Sequence, residues 1–423
     1  MKKSRFIAFG LAVLMMASMF SACKSNTGKT NTNSQITLKV LDGQSTSDAG
    51  MESLINTAMA KKYPNITLEW ECIDWGTGFE PKMQLYMKSG LPDIIIGKGQ
   101  DVATYAPKKV IADLTGKSYL NNVLPGGVTS GSYQGKVYGV VFNCLYQGVY
   151  YNRKLFTDNN IQIPKTQADL QNVIDKFKSL GITPFATHYV DGWSIGNQTM
   201  QFAINGVFNK TPDWGDQLRS GKVTFATSAD YKTVYGYNQL IYNNTWKSET
   251  FSLAETDCDA RVVQGKAAMD VSGSWSVQNF QDVDPNFDYG IFPFPNATGD
   301  SKLIYEANIT LMKSATTKYS DSVDKVFDLI TSDNALDVSI YDLTKTDPML
   351  KNVTPTYKDA SQSDISKYAA DGDIVDAGTG NNQFVWGGFQ DENAKDIASW
   401  LQGTETIDAA LAAADTRKGV SKP

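Results

Sequence analysis

Three tryptophans stand in polar, glycine-containing segments where core packing is not the natural use of an indole. They are Trp193 in Asp191-Gly192-Trp193-Ser194, Trp275 in Ser272-Gly273-Ser274-Trp275, and Trp386 in Asn381-Asn382-Gln383-Phe384-Val385-Trp386-Gly387-Gly388. Indole and phenol rings pack on the C–H faces of sugar rings, whose hydroxyls then need a rim of Asp, Glu, Asn and Gln. Glycine lets backbone and ligand come close. The chain is rich in this material, with 8 Trp and 20 Tyr, and at least two of the three tryptophans are expected at a ligand, with Asp191 among their polar neighbours. Catalytic chemistry has less to draw on. His188 is the single histidine, which leaves Ser-His-Asp catalysis and His/Cys zinc sites almost without residues. No GxSxG, HExxH or GxxxxGK[ST] occurs, and no cofactor or metal is expected. A glycoside hydrolase built on two carboxylates stays open, because acidic residues are plentiful.

The first stretch, Met1 to Cys23, determines where such chemistry would operate. Lys2, Lys3 and Arg5 precede an apolar run from Phe6 to Phe20, which breaks into Ser21-Ala22-Cys23. That is the pattern of an export signal, and the run is too short to span a bilayer comfortably. Phe20-Ser21-Ala22-Cys23 resembles the bacterial lipobox, in which the cysteine is acylated and becomes the new N-terminus, although leucine is more usual at the position of Phe20. The resemblance implies a signal peptide over 1–22 and a lipidated, palmitate-bearing Cys23; an ordinary secretory signal with an incidental cysteine is the alternative. Lys24 to Gln35 carries no apolar side chain and reads as a flexible tether. The globular part is thus expected from about Ile36, on the extracytoplasmic face of a cell membrane, touching it through the lipid anchor only. A Gram-positive surface fits better than a periplasm.

The net charge of −6 becomes −9 once the leader's three cations are removed, which argues against nucleic acid and anionic lipid as partners. Cys72, Cys144 and Cys258 are odd in number and lack CxxC spacing, so no disulfide framework is expected, with one bond left open. The alternation Ile66, Leu68, Trp70, Cys72 places Cys72 on the buried face of a strand.

The elements that must position the tryptophans follow an α/β rhythm. Ile36 to Leu41 reads as a strand, then Met51, Leu54, Ile55, Ala58 and Met59 as an amphipathic helix, with Asp48 as its N-cap and Tyr63-Pro64 as its stop. Ile66 to Cys72 is a strand, Phe79 to Ser89 a helix ending at Gly90, and Leu91 to Gly97 a buried parallel strand. Ligands sit at the carboxyl ends of such strands, which singles out Asp42 to Ser45 and Gly97 to Asp101. Asp93, after Pro92, reads as structural. Thr166 and Asp169 open a helix as a capping box, with Leu170, Val173, Ile174, Phe177 and Leu180 as its stripe. Another helix starts near Ala229, Ile304 to Met312 reads as a strand, and two helices close the chain.

Several short pieces fall in one order: Ser89-Gly90-Leu91-Pro92-Asp93-Ile94; the aromatic run Tyr138 to Phe156, ending Tyr150-Tyr151-Asn152-Arg153-Lys154-Leu155-Phe156; Pro164-Lys165-Thr166; Gly265-Lys266-Ala267-Ala268-Met269; Gly273-Ser274-Trp275; Phe292-Pro293-Phe294-Pro295; and Leu401-Gln402-Gly403-Thr404. In that order they resemble family 1 extracellular solute-binding proteins, the sugar-binding, maltose-binding-protein-like lipoproteins of ABC importers. The resemblance implies a two-lobe periplasmic-binding-protein-like α/β fold of type II with a ligand cleft between lobes. Lobe 1 would comprise 36–145 plus 304–347, and lobe 2 would comprise 146–303 plus 348–423. It further implies a monomeric, non-enzymatic carrier that captures an oligosaccharide by lobe closure and delivers it to the transmembrane subunits of an ABC permease. The same fold could instead bind a non-sugar solute or serve a sensor kinase. By carry-over, Trp275, Gln44, Ser45, Gln100, Asp101 and the stretch Asn143 to Gln147, with Asn143 and Tyr146 in it, face the cleft. Glu306, where the family commonly has small residues, is an added polar contact.

Overall fold

A computed structural model describes residues 34–44, 50–75, 78–382, 385–386 and 388–417. The leader, Cys23, Ser45 and Asp48 lie outside the described residues, as does the side chain of Gln44. From Gln35 onward the chain forms one compact unit built on two large sheets, with a short two-stranded pair, Ser132–Tyr133 and Lys136–Val137, beside them.

The first sheet has the order Ile66–Asp74, Ile36–Gln44, Ile94–Gly97, Thr310–Lys313, Gly139–Val141. Its first three strands are parallel, and Thr310–Lys313 runs antiparallel to both neighbours. Alternate residues Leu38, Val40, Ile66 and Leu68 pack against helix Met51–Lys62 and against the Val323, Val326, Phe327 and Ile330 stripe of helix Ser320–Ser332. Asp93 is structural as expected, its carboxylate accepting from the Lys39 amide at 2.9 Å and the Thr317 hydroxyl at 2.5 Å.

The second sheet has the order Ile374–Asp376, Leu303–Ala307, Asn143–Asn152, Ala267–Gly273, Thr183–Ala186, and Tyr289–Phe292 also pairs with the long strand Asn143–Asn152. Helix Gln167–Ser179 opens with the expected capping box, Asp169 N–H to Thr166 Oγ1 at 3.1 Å and Thr166 N–H to Asp169 Oδ2 at 2.9 Å. Its stripe is buried from Leu170 to Phe177, but Leu180 is exposed, because the helix stops at Ser179 and Leu180 is its C-cap.

The strand expected over Ile304 to Met312 is two strands: Leu303–Ala307 belongs to the second sheet and Thr310–Lys313 to the first. Asn143 supplies the physical reason. Its Oδ1 accepts the Ile309 amide at 2.7 Å, its carbonyl accepts the Asn308 amide at 3.1 Å, and its Nδ2 donates to Thr346 Oγ1 at 2.7 Å. One buried side chain thereby brackets three passages of the chain between the sheets, and the backbone cannot continue as one ladder through it.

Cys72 also departs from expectation, being exposed. It lies near the carboxyl end of an edge strand, beyond Leu68 and the half-buried Trp70, where the core-facing alternation has already run out. Cys144 and Cys258 are buried and unbonded. Among the described residues no helix is long and apolar enough to cross a membrane.

Candidate ligand-binding site

Trp193 and Trp275 meet. Strand Ala267–Gly273 ends on the glycine, and the indole of Trp275 folds back across it: a Cβ at Gly273 would sit 2.1 Å from Trp275 Cζ3. Trp193 lies in the first turn of helix Gly192–Ala203, whose N-cap is Asp191. The two indoles stand edge to face with centroids 5.9 Å apart, and His188 stands edge-on to Trp193 at 5.3 Å. Both tryptophans are partly exposed and Asp191 is exposed, so this aromatic corner is open to a ligand.

Carboxylates back the corner. Glu255, in the first turn of helix Glu255–Val263, is held up at about 7, chiefly by burial and further by the charge of Asp191, while the nearby Trp275 N–H works the other way. Behind it, burial pushes Asp270 up to about 8, with the charge of Glu255 adding to the effect. Asp259 is raised well above the carboxylate range, chiefly by burial and then by the charges of Asp270 and Glu255. Burial draws His188 down to about 4, so its imidazole is neutral at physiological pH. Among the described residues no group of three or more His, Cys, Asp or Glu is placed to hold a metal ion.

The first sheet contributes a second tryptophan-over-glycine arrangement. Trp75 lies across Gly43, where a Cβ would be 2.3 Å from Trp75 Cζ3, and Trp75 packs on Phe79 with centroids 5.4 Å apart. Lys98 Nζ sits 5.5 Å from the Trp75 centroid and 2.8 Å from Glu306 Oε1. Trp75 in Asp74-Trp75-Gly76 meets the same polar, glycine-containing criterion that selects Trp193, and that signal could have found it. Glu255 carries no such signal, being one acid among many.

The remaining candidates fall into two groups. Gln100 donates to Glu306 Oε1 at 3.1 Å. Glu306 itself is fully buried, its second oxygen accepting from Gln147, whose Oε1 accepts from Asn197 at 3.3 Å. Glu306 thus ties Lys98 and Gln100 to the long strand of the second sheet. Asp101 caps the turn at Lys98, accepting its amide at 2.7 Å, and burial pushes its carboxyl up to about 7. Asn143 is buried and bonded as described above. Tyr146 is half-buried against Cys144, Ala307 and Met349, and its backbone exchanges bonds with Ser274, one residue before Trp275. Trp386 lies in the second core, 7% exposed, with Nε1 donating to Asn382 Oδ1 at 3.0 Å. The indole is satisfied from within its own sequence context, by Asn382 four residues before it.

A family described as bacterial extracellular solute-binding protein matches residues 42–336 of the chain. The multiple sugar-binding protein of Streptococcus mutans is 21% identical over 341 residues, covering 79% of this chain and 80% of that one. Among solved structures, the putative binding protein MsmE of Bacillus subtilis, in an open conformation, superposes with a TM-score of 0.79 at 18% identity, over 92% of this chain and 98% of that one. A sugar transporter protein of Bacillus licheniformis, in complex with stachyose, does so at 0.75 and 16% identity, over 91% and 100%. The likeness establishes the two-lobe α/β fold.

Proposed function

The chain belongs to the bacterial extracellular solute-binding proteins, and from that premise we propose that it captures a neutral oligosaccharide outside the membrane and hands it to an ABC permease. The observation that carries the reading is the open corner of Trp193 and Trp275, two indole faces backed by Glu255 and rimmed by Asp191. Sugar rings need apolar faces to stack on and acceptors for their hydroxyls, and the corner offers both. Gln100, held by Glu306, and Lys98, poised over Trp75, line the opposing first-sheet side. The three chain passages bracketed by Asn143 serve as the hinge, and a ligand that contacts both sides stabilises the closed arrangement by its differential affinity.

The binding proteins of Streptococcus mutans and Bacillus licheniformis, whose names or ligands are sugars, support the carbohydrate class. Cys23 as an acylated anchor is part of the proposal: Cys23→Ser should release the chain from the membrane fraction and abolish palmitate labelling.

The test of function is a thermal-shift screen against neutral oligosaccharides, sugar acids and polyamines, with each ligand recovered afterwards. A neutral oligosaccharide that raises Tm and returns intact supports the reading, and Trp275→Ala should sharply reduce that shift. Recovered fragments would make the chain a hydrolase; a shift with acids or polyamines alone would remove the sugar. Loss of uptake on deleting the cognate permease distinguishes transport from a sensory role.

A further inference from the structure

Helix Gly192–Ala203 is buried at every position from Ser194 to Ala203, yet Asn197, Gln198, Thr199 and Gln201 within it are polar. A helix enclosed on all sides is ordinarily apolar throughout. Gln198 and Thr199 bond to neighbours in the same core, Thr187 and Asn238. Asn197 and Gln201 instead belong to a chain of side chains that runs to the other sheet.

Lys98, which follows strand Ile94–Gly97 of the first sheet, donates to Glu306 Oε1 at 2.8 Å. Gln147 Nε2 donates to Glu306 Oε2. Asn197 Nδ2 donates to Gln147 Oε1 at 3.3 Å, and Gln201 Nε2 donates to Asn197 Oδ1 at 2.8 Å and to the Ser272 carbonyl at 3.1 Å. Both ends fix the sense of this relay. Glu306, paired with Lys98, and the Ser272 carbonyl can only accept, so each amide turns its NH2 along the chain toward Glu306. Gln201 Oε1, at the far end, is left buried without a partner, the remainder expected of a one-way chain.

The relay passes beneath the aromatic corner. Trp193, Asn197 and Gln201 are spaced four residues apart and share one helix face. Gln147 lies cross-strand from Gly273, the residue under the Trp275 indole. Gln147 and Gln201 are 0% exposed, Glu306 1% and Asn197 6%, so a ligand resting on the indoles meets none of them. Stability does not require such a chain, because well-packed apolar side chains often replace buried charged networks without loss. Directional bonds do what apolar packing does not: they join the side bearing Lys98 and Trp75 to both indoles.

We propose that Gln147 and Asn197 are positioning residues. They transmit the anchorage of Glu306 on Lys98 to the helix of Trp193 and the strand of Trp275, and so fix the angle between the two indoles that a ligand meets. This rests on the ligand-binding reading given above. Each link holds only through the next, so one break removes the effect and a second removes nothing more.

The experiment has a ligand-free arm and a ligand arm, both on the full chain. Edge-to-face indoles 5.9 Å apart couple their transitions and give a paired signal in circular dichroism, which Trp193→Phe identifies. Asn197→Leu and Glu306→Gln should each diminish it, with urea unfolding confirming that the variants are folded and Gln147→Met standing in should either fail to fold. In calorimetric titration with raffinose and stachyose each variant should weaken binding about fivefold, and the double variant about fivefold as well, where independent effects would give about twenty-fivefold. An intact signal in folded variants, unchanged affinity, or a multiplied loss in the double variant would overturn the inference and leave the proposed function standing. Trigalacturonate and spermidine are titrated alongside. If only one of these binds, the neutral-oligosaccharide reading falls, and a fivefold loss shared by single and double variants with that ligand would still uphold the relay.

Discussion

Each of the two sheets ends an interior strand near a glycine with a tryptophan laid across it, Gly43 under Trp75 in the first and Gly273 under Trp275 in the second. The polar groups around them are treated differently. On the first-sheet side Lys98 and Gln100 are bound to Glu306, and Asp101 is bound to the Lys98 amide. On the second-sheet side the Trp275 N–H faces only the Glu255 carboxyl, and His188 Nδ1 is buried without a partner. A satisfied network is rigid and expensive to break, while an unsatisfied one waits for its partner. On the proposed reading, the first side organises the site and the second recognises the ligand.

The largest expected effect tests whether buried polar groups without a partner are confined to recognition. Asp337, in helix Asn334–Thr344 of the first-sheet core, has a buried oxygen without a partner, and burial, aided by Asp333, pushes it up to about 8. Its folded value exceeds the unfolded one, so the folded chain holds a proton that the unfolded chain has lost. Stability therefore falls as pH rises from about 4 toward 8, by something on the order of 4 kcal/mol. Asp337→Asn should flatten that fall in urea titrations at pH 5 and 8 without changing ligand affinity. A change in affinity would show that the first side also recognises ligand.

Next is Glu306→Ala, which strands Lys98 and Gln147 beside a vacated buried site. Removing one member of a buried ion pair costs about 3 kcal/mol, seen as a lowered urea midpoint at unchanged slope. If ligand affinity fell while stability did not, Glu306 would be a contact after all. Third, Trp275→Ala should weaken binding by about 2 kcal/mol, a hot-spot-sized loss of roughly thirtyfold. Trp75→Ala should cost less than a tenth of that factor by calorimetry. Equal losses would erase the distinction between the two sides.

Local periodicity made most of the fold legible. The stripe Tyr231, Val234, Tyr235, Asn238 and Ile241 is buried on helix Ala229–Asn243, and Phe79–Ser89 ends at Gly90 as the sequence suggests. What periodicity could not carry was the third dimension of polar residues. Glu306 is expected, through the family resemblance, as an added polar contact, and it is buried because Lys98 and Gln147, distant in sequence, converge on it. Asn143 reads as a cleft residue and becomes a bracket for the same reason. Glycine beside tryptophan selected Trp193 and Trp275, which the fold brings together at a partly exposed corner, and the same mark on Trp386 selected an indole satisfied internally by Asn382.

The smallest effect addresses the glycines. A Cβ at Gly273 would lie 2.1 Å from Trp275 Cζ3 and one at Gly43 would lie 2.3 Å from Trp75 Cζ3, so alanine at either position forces the overlying indole to move. Neither glycine has a positive φ, so the backbone tolerates alanine and the cost is the displaced ring, about 1 kcal/mol of stability for each. The two substitutions should then separate on binding. Gly273→Ala lifts the indole proposed to carry recognition, and affinity should fall about tenfold, equivalent to 1.4 kcal/mol. Gly43→Ala lifts an indole beside an already satisfied network and should change affinity less than threefold. Calorimetry on both variants, with Tm confirming matched stability, tests this difference. A larger loss for Gly43→Ala would reverse the assignment and make the first sheet the side that reads the ligand.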